Sequence, residues 1–442
     1  MTDILFNLKN ITPNVEKEKI IEILDEWNFW SKTPDCGILR ERYLQQFEKM
    51  KATQQVVFIT GVRRSGKSTL MKQHIKRMID EGEDRKNSLY INFEEPKFID
   101  ELSVQFLIDA FDAYLEIVQP TSAPDLFLDE IQNVKGWERF VRALHEKRSA
   151  NIFVSGSSAR LLSKELGTAL TGRHIDIHVY PLTFREFLEF NNLKLETKLD
   201  IVTNKLKIRQ MMRKYLSTGG FPLVVLLDGN NEILRDYFND IILRDIAERY
   251  KVIKVDKLRS LAKYYLTNIG APSSFRKIAN FIGISLDSVE RYSYHLSDAY
   301  LIFFVKKFSY SLKEQEINPR KVYAIDPGLR NIVSFKFSED LGKLYENTVF
   351  LELYRRGEEV YYYQGRHECD FVVMRGQSIT QAFQVCYSLT EQNREREIAG
   401  LLEAMDEFEL SEGTIITDDV ETVENYGDKS IRFVALWKWL LD

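Results

Sequence analysis

The chain has 442 residues, which at roughly 100–200 residues per domain makes room for two to four domains. Its residues are 44% hydrophobic and 29% charged, which excludes a disordered chain, a collagen-like chain and a small disulfide scaffold. Lys plus Arg is 61 against 66 Asp plus Glu, a net charge of −5, so nucleic acid would have to be met by a local patch and not a basic coat. The three cysteines, Cys36, Cys369 and Cys386, are odd in number and far apart. That fits neither a disulfide framework nor a CxxC zinc site, and points to a reducing cytoplasm. MTDILFNLKNITPNVEKEKI lacks the basic and apolar regions of a secretory leader. Apolar runs such as Leu223–Leu227 and Tyr300–Val305 fall far short of the about 20 residues that span a bilayer, so no membrane partner is expected.

Residues 1–54 have helix-like apolar spacing, as in Ile20–Trp30 and Ile38–Met50. At Val56–Thr60 (VVFIT) the pattern becomes a short β-rich run, followed by a helical stretch from about Lys67 to Asp80. Ser88–Glu95, Leu126–Glu130, Asn151–Ser157 and His174–Leu182 read as further strands, with helices over Val104–Ile117 and Trp137–Lys147 between them. Strands alternating with helices imply βαβ units and a parallel sheet. From Thr183 to about Tyr250 the pattern is helical, broken at Gly219-Gly220-Phe221-Pro222. Residues 256–330 hold twelve basic residues against seven acidic, a net of +5. They run helix, turn, helix (Ser274–Ile282, Ser285–Asp298) into the strand-like YLIFFVKKFS, and Ser285 and Asp287 suit a helix start. The rest is mixed: helices over Leu344–Arg356 and Arg394–Phe408, and strands at Val360–Tyr363, Cys369–Val373, Ala382–Val385 and Gly413–Thr417. Residues 401–442 are acidic, with eleven acidic residues against three basic.

Gly61-Val-Arg-Arg-Ser-Gly66-Lys67-Ser68 matches the phosphate loop GxxxxGK[ST], after a strand and before a helix, where such a loop must stand. Glycines let the backbone turn its N–H groups toward phosphate, and the helix adds its positive end. The expected contacts to ATP are Gly61, Arg63, Arg64, Ser65, Gly66, Lys67, Ser68 and Thr69, with Lys67 at the β- and γ-phosphates and the Ser68 hydroxyl on Mg²⁺. Leu126–Glu130 is an apolar strand ending in two carboxylates. Asp129 is expected to hold Mg²⁺ and Glu130 to orient or deprotonate the attacking water. The serines after Val154 end a strand at the same place, and Ser157 is the expected sensor of the γ-phosphate. Arg173 is the preferred arginine for transition-state charge, with Arg160 second.

GVRRSGKSTL, LFLDEIQNVKGWE, VSGSSARLLSKE, LTGRHIDIHVYPLTFREFLEF and GGFP, in this order, resemble the prokaryotic AAA-type ATPases that carry a C-terminal DUF4143 domain and are related to the archaeal ATPases. The resemblance runs from about Arg40 to the C-terminus. It implies an α/β fold with a P-loop AAA/RecA-like parallel-sheet core (55–190) after an N-terminal helical segment (1–54). A helical lid (191–255), a winged-helix-like segment (256–330) and a restriction-endonuclease-like α/β domain (331–442) follow. In such ATPases the pattern gives Lys67 and Ser68 the nucleotide and Mg²⁺, and Asp129 and Glu130 the second acidic motif.

Nucleases of that type use a helix Glu, a strand Asp and then Glu-x-Lys on the next strand. Here Glu346 (or Glu352) and Asp370 match, but Gln384-Val385-Cys386 stands where Glu/Gln-x-Lys belongs. Cys386 cannot supply the lysine's charge, so hydrolysis is expected to be lost. Lys257, Arg259, Arg276, Lys277, Arg291, Lys306 and Lys307, with Tyr292 and Tyr294, would give the winged-helix segment its DNA contacts, and His295 reads as a packing residue. The expected function is a Mg²⁺-dependent ATPase that couples turnover to rearrangement of its C-terminal domains on DNA. The alternative is a nucleotide-gated protein switch. Self-association is a further expectation, because the arginine in such enzymes can come from a neighbouring subunit.

Overall fold

The computed structural model describes residues 16–156, 172–334 and 341–442. The chain divides into two compact units, Met1–Val179 and Tyr180–Asp442. No helix among the described residues is long and apolar enough to cross a membrane.

The first unit is built on five parallel strands: β1 (Val56–Thr60), β2 (Ser88–Asn92), β3 (Asp125–Asp129), β4 (Asn151–Ser155) and β5 (His174–His178). Their order is β2-β3-β4-β1-β5. Strand residues alternate between two apolar faces. Val56, Phe58, Leu126, Leu128, Ile152 and Val154 share one core, whereas Val57, Ile59, Phe127 and Phe153 share the other. A parallel sheet needs helices on both faces. Helices α1 (Glu41–Lys51) and α2 (Lys67–Asp80) cover the second core with Tyr43, Phe47, Leu70, Met71 and Ile75. Helices α3 (Val104–Ala113) and α4 (Trp137–Lys147) cover the first with Phe106, Leu107, Trp137 and Val141. The helix expected over Val104–Ile117 is regular only to Ala113 and ends in a π-turn, Tyr114–Val118.

Strand order positions the site. β4 lies between β1 and β3, with Ile59 opposite Ser155 and Leu128 opposite Val154. The phosphate loop, the end of β4 and the acidic pair therefore emerge side by side at one sheet edge, where ligands of parallel sheets bind.

The second unit begins with helices α5 (Phe184–Phe190), α6 (Lys205–Thr218) and α7 (Asn231–Asp240). Next come α8 (Val255–Thr267), β6 (Pro272–Ser273), α9 (Phe275–Ile282), α10 (Leu286–Asp298), β7 (Ile302–Val305) and β8 (Arg320–Ala324). The three strands pair antiparallel in the order β6-β8-β7. The Ser285 hydroxyl caps α10 by accepting from the Ser288 N–H. After α11 (Pro327–Val333) and α12 (Leu341–Arg355), six strands form a mixed sheet ordered β13-β14-β12-β11-β10-β9. They are β9 (Glu359–Gln364), β10 (Glu368–Arg375), β11 (Ser378–Val385), β12 (Glu412–Thr417), β13 (Thr422–Tyr426) and β14 (Lys429–Ala435). Helix α13 (Glu391–Glu407) packs Leu401, Ala404 and Met405 onto Val372, Ile415 and Ile431 of this sheet.

The GGFP break joins α6 to α11. Asp326, at the N-terminus of α11, accepts N–H bonds from Gly220 (2.6 Å) and Leu329 (2.8 Å). A Cβ on Gly219 would lie 2.0 Å from Asp326 Oδ1, and Gly219 has φ +78°, so only glycine fits there. Burial pushes the Asp326 carboxyl up to about 6 against the pull of these N–H donors.

Candidate functional site

After Thr60 the chain turns through Gly61 (φ +143°), Arg64 (φ +69°) and Gly66 (φ +101°) into α2. A Cβ on Gly61 would lie 2.1 Å from the Val179 carbonyl oxygen. These changes of backbone hand make a concavity of N–H groups at a helix N-terminus, which attracts phosphate. Lys67 is 5% exposed. Its Nζ donates to the carbonyls of Gly61 (3.1 Å) and Val62 (3.4 Å) and stands 4.0 Å from Glu130 Oε1. The buried Ser65 hydroxyl has no hydrogen-bond partner among the described residues. Arg63 pairs with Glu94 at 3.3 Å, and Arg64 and Thr69 are exposed. Behind the loop, buried Arg40 donates from Nη1 to the Ser65 carbonyl at 3.0 Å.

The acidic pair hangs from two neighbouring strands. Asp129 Oδ2 accepts from the Tyr90 hydroxyl of β2 at 2.5 Å, and its Oδ1 accepts from the Ser155 hydroxyl of β4. The same Ser155 oxygen accepts the Glu130 N–H at 3.0 Å. The Ser68 hydroxyl also bonds to Asp129. Burial and the Glu130 charge raise the Asp129 pKa, while the Ser155, Ser68 and Tyr90 hydroxyls oppose the rise. Burial and Asp129 together push the Tyr90 phenol well above its ordinary range. Glu130 has φ +55°, a region costly for a residue with a Cβ and one that clusters at functional sites. Gln132 Nε2 donates to its Oε2 at 2.5 Å.

The donors fit the groups that the motif implies. Ser68 and Asp129 offer oxygen ligands in contact with each other, which suits a hard cation such as Mg²⁺. The loop's N–H concavity and the unpartnered Ser65 hydroxyl suit phosphate oxygens.

Lys67, Ser68, Asp129 and Glu130 thus come together. Arg173 does not join them. Its carbonyl accepts the Val56 N–H at the start of β1, and its guanidinium pairs with Glu146 at 2.8 Å. The four-residue advance from Val56 to Thr60 puts it roughly 13 Å from the loop end of the sheet. Ser157 and Arg160 lie outside the described residues. Sequence reasoning missed Tyr90, Arg40 and the double role of Ser155. A tyrosine inside a β-run adjacent to the acidic strand was the one signal for Tyr90.

In the second unit Glu346 and Asp370 also come together, around Lys321 of β8. Gln384 accepts the Asp370 N–H at 3.2 Å and donates to Glu397 at 2.6 Å, and Cys386 turns to the Ser388 carbonyl. Of the basic residues in 256–330, Lys257, Arg259, Arg291 and Lys306 bond to Ile282, Asn239, Asp287 and Glu316 of their own unit. Arg276 and Lys277 are exposed. His295 stacks on Tyr250 at 3.7 Å, a packing role as expected.

Residues 53–188 match the AAA domain family, and residues 209–340 match a domain of unknown function, DUF8612. An uncharacterized protein of Methanocaldococcus jannaschii, MJ1544, is 36% identical over 403 residues, covering 87% of each chain. An uncharacterized protein of Haemophilus influenzae is 33% identical over 371 residues, covering 81% of this chain and 89% of that one. The chain belongs to their family. Within this family it carries an AAA domain whose matched span includes the phosphate loop and the acidic pair. The resemblance to the DUF4143 group is corrected by the second match, since DUF8612 and not DUF4143 follows the AAA domain. A second Methanocaldococcus jannaschii protein, MJ1637, is 25% identical over 438 residues, 91% of this chain and 89% of that one, and is also uncharacterized.

Proposed function

We propose that the chain is a Mg²⁺-dependent ATP hydrolase that couples turnover to rearrangement of its C-terminal domains on DNA. The observation that carries the hydrolase is the single Ser155 hydroxyl, which ties Asp129 and Glu130 together while Lys67 stands 4.0 Å from Glu130. In this reading the loop amides and Lys67 hold the β- and γ-phosphates, and Ser68 and Asp129 hold Mg²⁺. Bound Mg²⁺ would offset the charge of the β- and γ-oxygens. Glu130 accepts a proton from the attacking water, and Gln132 fixes its carboxylate. With Arg173 at the far edge of its own sheet, a second copy of the chain is the source that could bring it to the γ-phosphate.

For DNA, the support is the element order α8-β6-α9-α10-β7-β8, the order of a winged helix, with Arg276 and Lys277 exposed. A second reading, a nucleotide-gated protein switch, is favoured by the same region. The outward face of α10 carries Asp287 and Glu290 beside Arg291. A cleft of about 1300 Å³ against it mixes Arg276, Lys306 and Arg320 with Glu290, Glu316 and Glu358, which suits a peptide better than a phosphate backbone.

The deciding experiment is ATP turnover with and without duplex, single-stranded and branched DNA at low and moderate salt. A several-fold rise with one form, lost in Lys67→Ala, supports action on DNA. Turnover indifferent to every DNA, with a nucleotide-dependent change in partner binding or self-association, transfers the reading to the switch.

A further inference from the structure

Lys321 has no solvent exposure, yet it carries an ammonium. Its Nζ donates to Glu346 Oε1 at 2.9 Å and Asp370 Oδ1 at 3.0 Å, and meets Glu368 Oε1 at 2.6 Å. Tyr323, two residues along β8, donates its hydroxyl to the same Glu346 oxygen at 2.7 Å. The ring of Tyr362 lies 5.7 Å from Nζ. Glu346 comes from α12, whereas Glu368 and Asp370 come from β10.

Each partner is built into place. Gly270 approaches Glu346 so closely that a Cβ would lie 2.6 Å from Oε2. The pairing of β10 with β9 slips between Cys369 and Val372, a bulge that re-aims Asp370. Asp370 Oδ2 then accepts the Val385 N–H at 3.0 Å. Burial draws the ammonium's pKa down, but Glu346, Tyr323, Asp370 and Glu368 outweigh it and hold it well above its ordinary value. The lysine stays charged.

A nuclease-like domain implies Mg²⁺ at Glu346 and Asp370. The residues present do not fit it. Mg²⁺ requires oxygen ligands at roughly 2.1 Å in near-octahedral order. Here the converging oxygens stand at ammonium distances, 2.6–3.0 Å from a nitrogen that fills the space between them. No group of three or more His, Cys, Asp or Glu side chains among the described residues is spaced to hold a metal ion.

We infer that Lys321 is the resident cation of this carboxylate cluster: its ammonium holds the position that a divalent ion would take, and joins β8, α12 and β10 without one. The lysine missing beside Cys386 is thus not simply lost from the chain. A lysine from another strand occupies the cluster as a counter-ion. The cluster then does not hydrolyse phosphodiesters through a metal-bound water.

The test counts Mn²⁺ bound to the full, nucleotide-free chain by electron paramagnetic resonance. Wild type and Glu368→Gln, a change at the most exposed carboxylate, should bind the same number of ions. Lys321→Met, which keeps the length and removes the charge, should gain one equivalent, and adding Asp370→Asn should abolish the gain. One equivalent fewer in Glu368→Gln than in wild type would overturn the inference. So would a folded Lys321→Met that gains none, or Mn²⁺-dependent DNA cleavage by wild type that Glu346→Gln removes. If Lys321→Met does not fold, Asp370→Asn alone decides: the wild-type count supports the inference, and one ion fewer than wild type overturns it.

Discussion

Lys67 and Glu130 face each other across the candidate site, and their loss should differ in kind. Lys67→Ala removes a positive charge from developing phosphate charge, and turnover should fall about 10²–10³-fold with weakened ATP binding. Glu130→Gln keeps the shape and removes the proton acceptor, so ATP should still bind while phosphate release falls about 10²–10⁴-fold. Parallel binding and phosphate-release assays separate the two; equal loss of binding in both variants would contradict these roles. Tyr90→Phe deletes the hydroxyl that donates to Asp129 at 2.5 Å. An outer-shell partner that orients a metal ligand typically accounts for about 10–100-fold in metal affinity, so the Mg²⁺ concentration for half-maximal turnover should rise roughly tenfold or more. An unchanged Mg²⁺ requirement would remove Tyr90 from the site.

At the scale of elements, the sheet of the first unit rests on aromatic packing. Phe127 and Phe153 stack with centroids 4.6 Å apart, and His74 meets both edge-on. Phe153→Ala should destabilise the unit by about 3–5 kcal/mol, read as a lower urea midpoint. The junction of α6 and α11 should respond to pH. The Asp326 carboxyl is raised by burial to about 6, so the folded state binds this proton more tightly than the unfolded chain does. Its contribution to stability is therefore full below about pH 3.8, the unfolded value, and is lost as pH rises through about 6. Asp326→Asn should lose that decline, and a wild-type slope between pH 4 and 6 that the variant keeps would contradict it.

Much of this level was legible in sequence, because short uninterrupted apolar runs, helix-period spacing and the GxxxxGK[ST] spacing are local signals. Val56–Thr60, Lys67–Asp80 and Trp137–Lys147 fall where the pattern places them. What failed depends on topology. Arg173 is close in sequence to the site's motifs, but a parallel β5 puts it at the wrong edge. The serine-rich end of β4 announced a polar tip, yet the residue that bonds to the Asp129 carboxylate and the Glu130 N–H is Ser155, inside the strand. Lys321 lies 49 residues from Asp370, and no periodicity links a lysine on β8 to a carboxylate on β10.

For the whole molecule, contact with DNA would have to come from local charge, since the chain's net charge is −5. Any DNA stimulation should therefore weaken steeply with salt as counterion release is lost. Stimulation that persists unchanged between about 50 and 200 mM salt would point to a partner other than a phosphate backbone. The most direct measurement is steady-state ATP hydrolysis by the purified chain with Mg²⁺, beside Lys67→Ala and Glu130→Gln. Mg²⁺-dependent turnover that both substitutions lower by about 10²-fold or more is the predicted result. Turnover near the wild-type rate in Lys67→Ala, or none in a folded wild-type chain that binds ATP, would contradict the assignment of hydrolysis to this site.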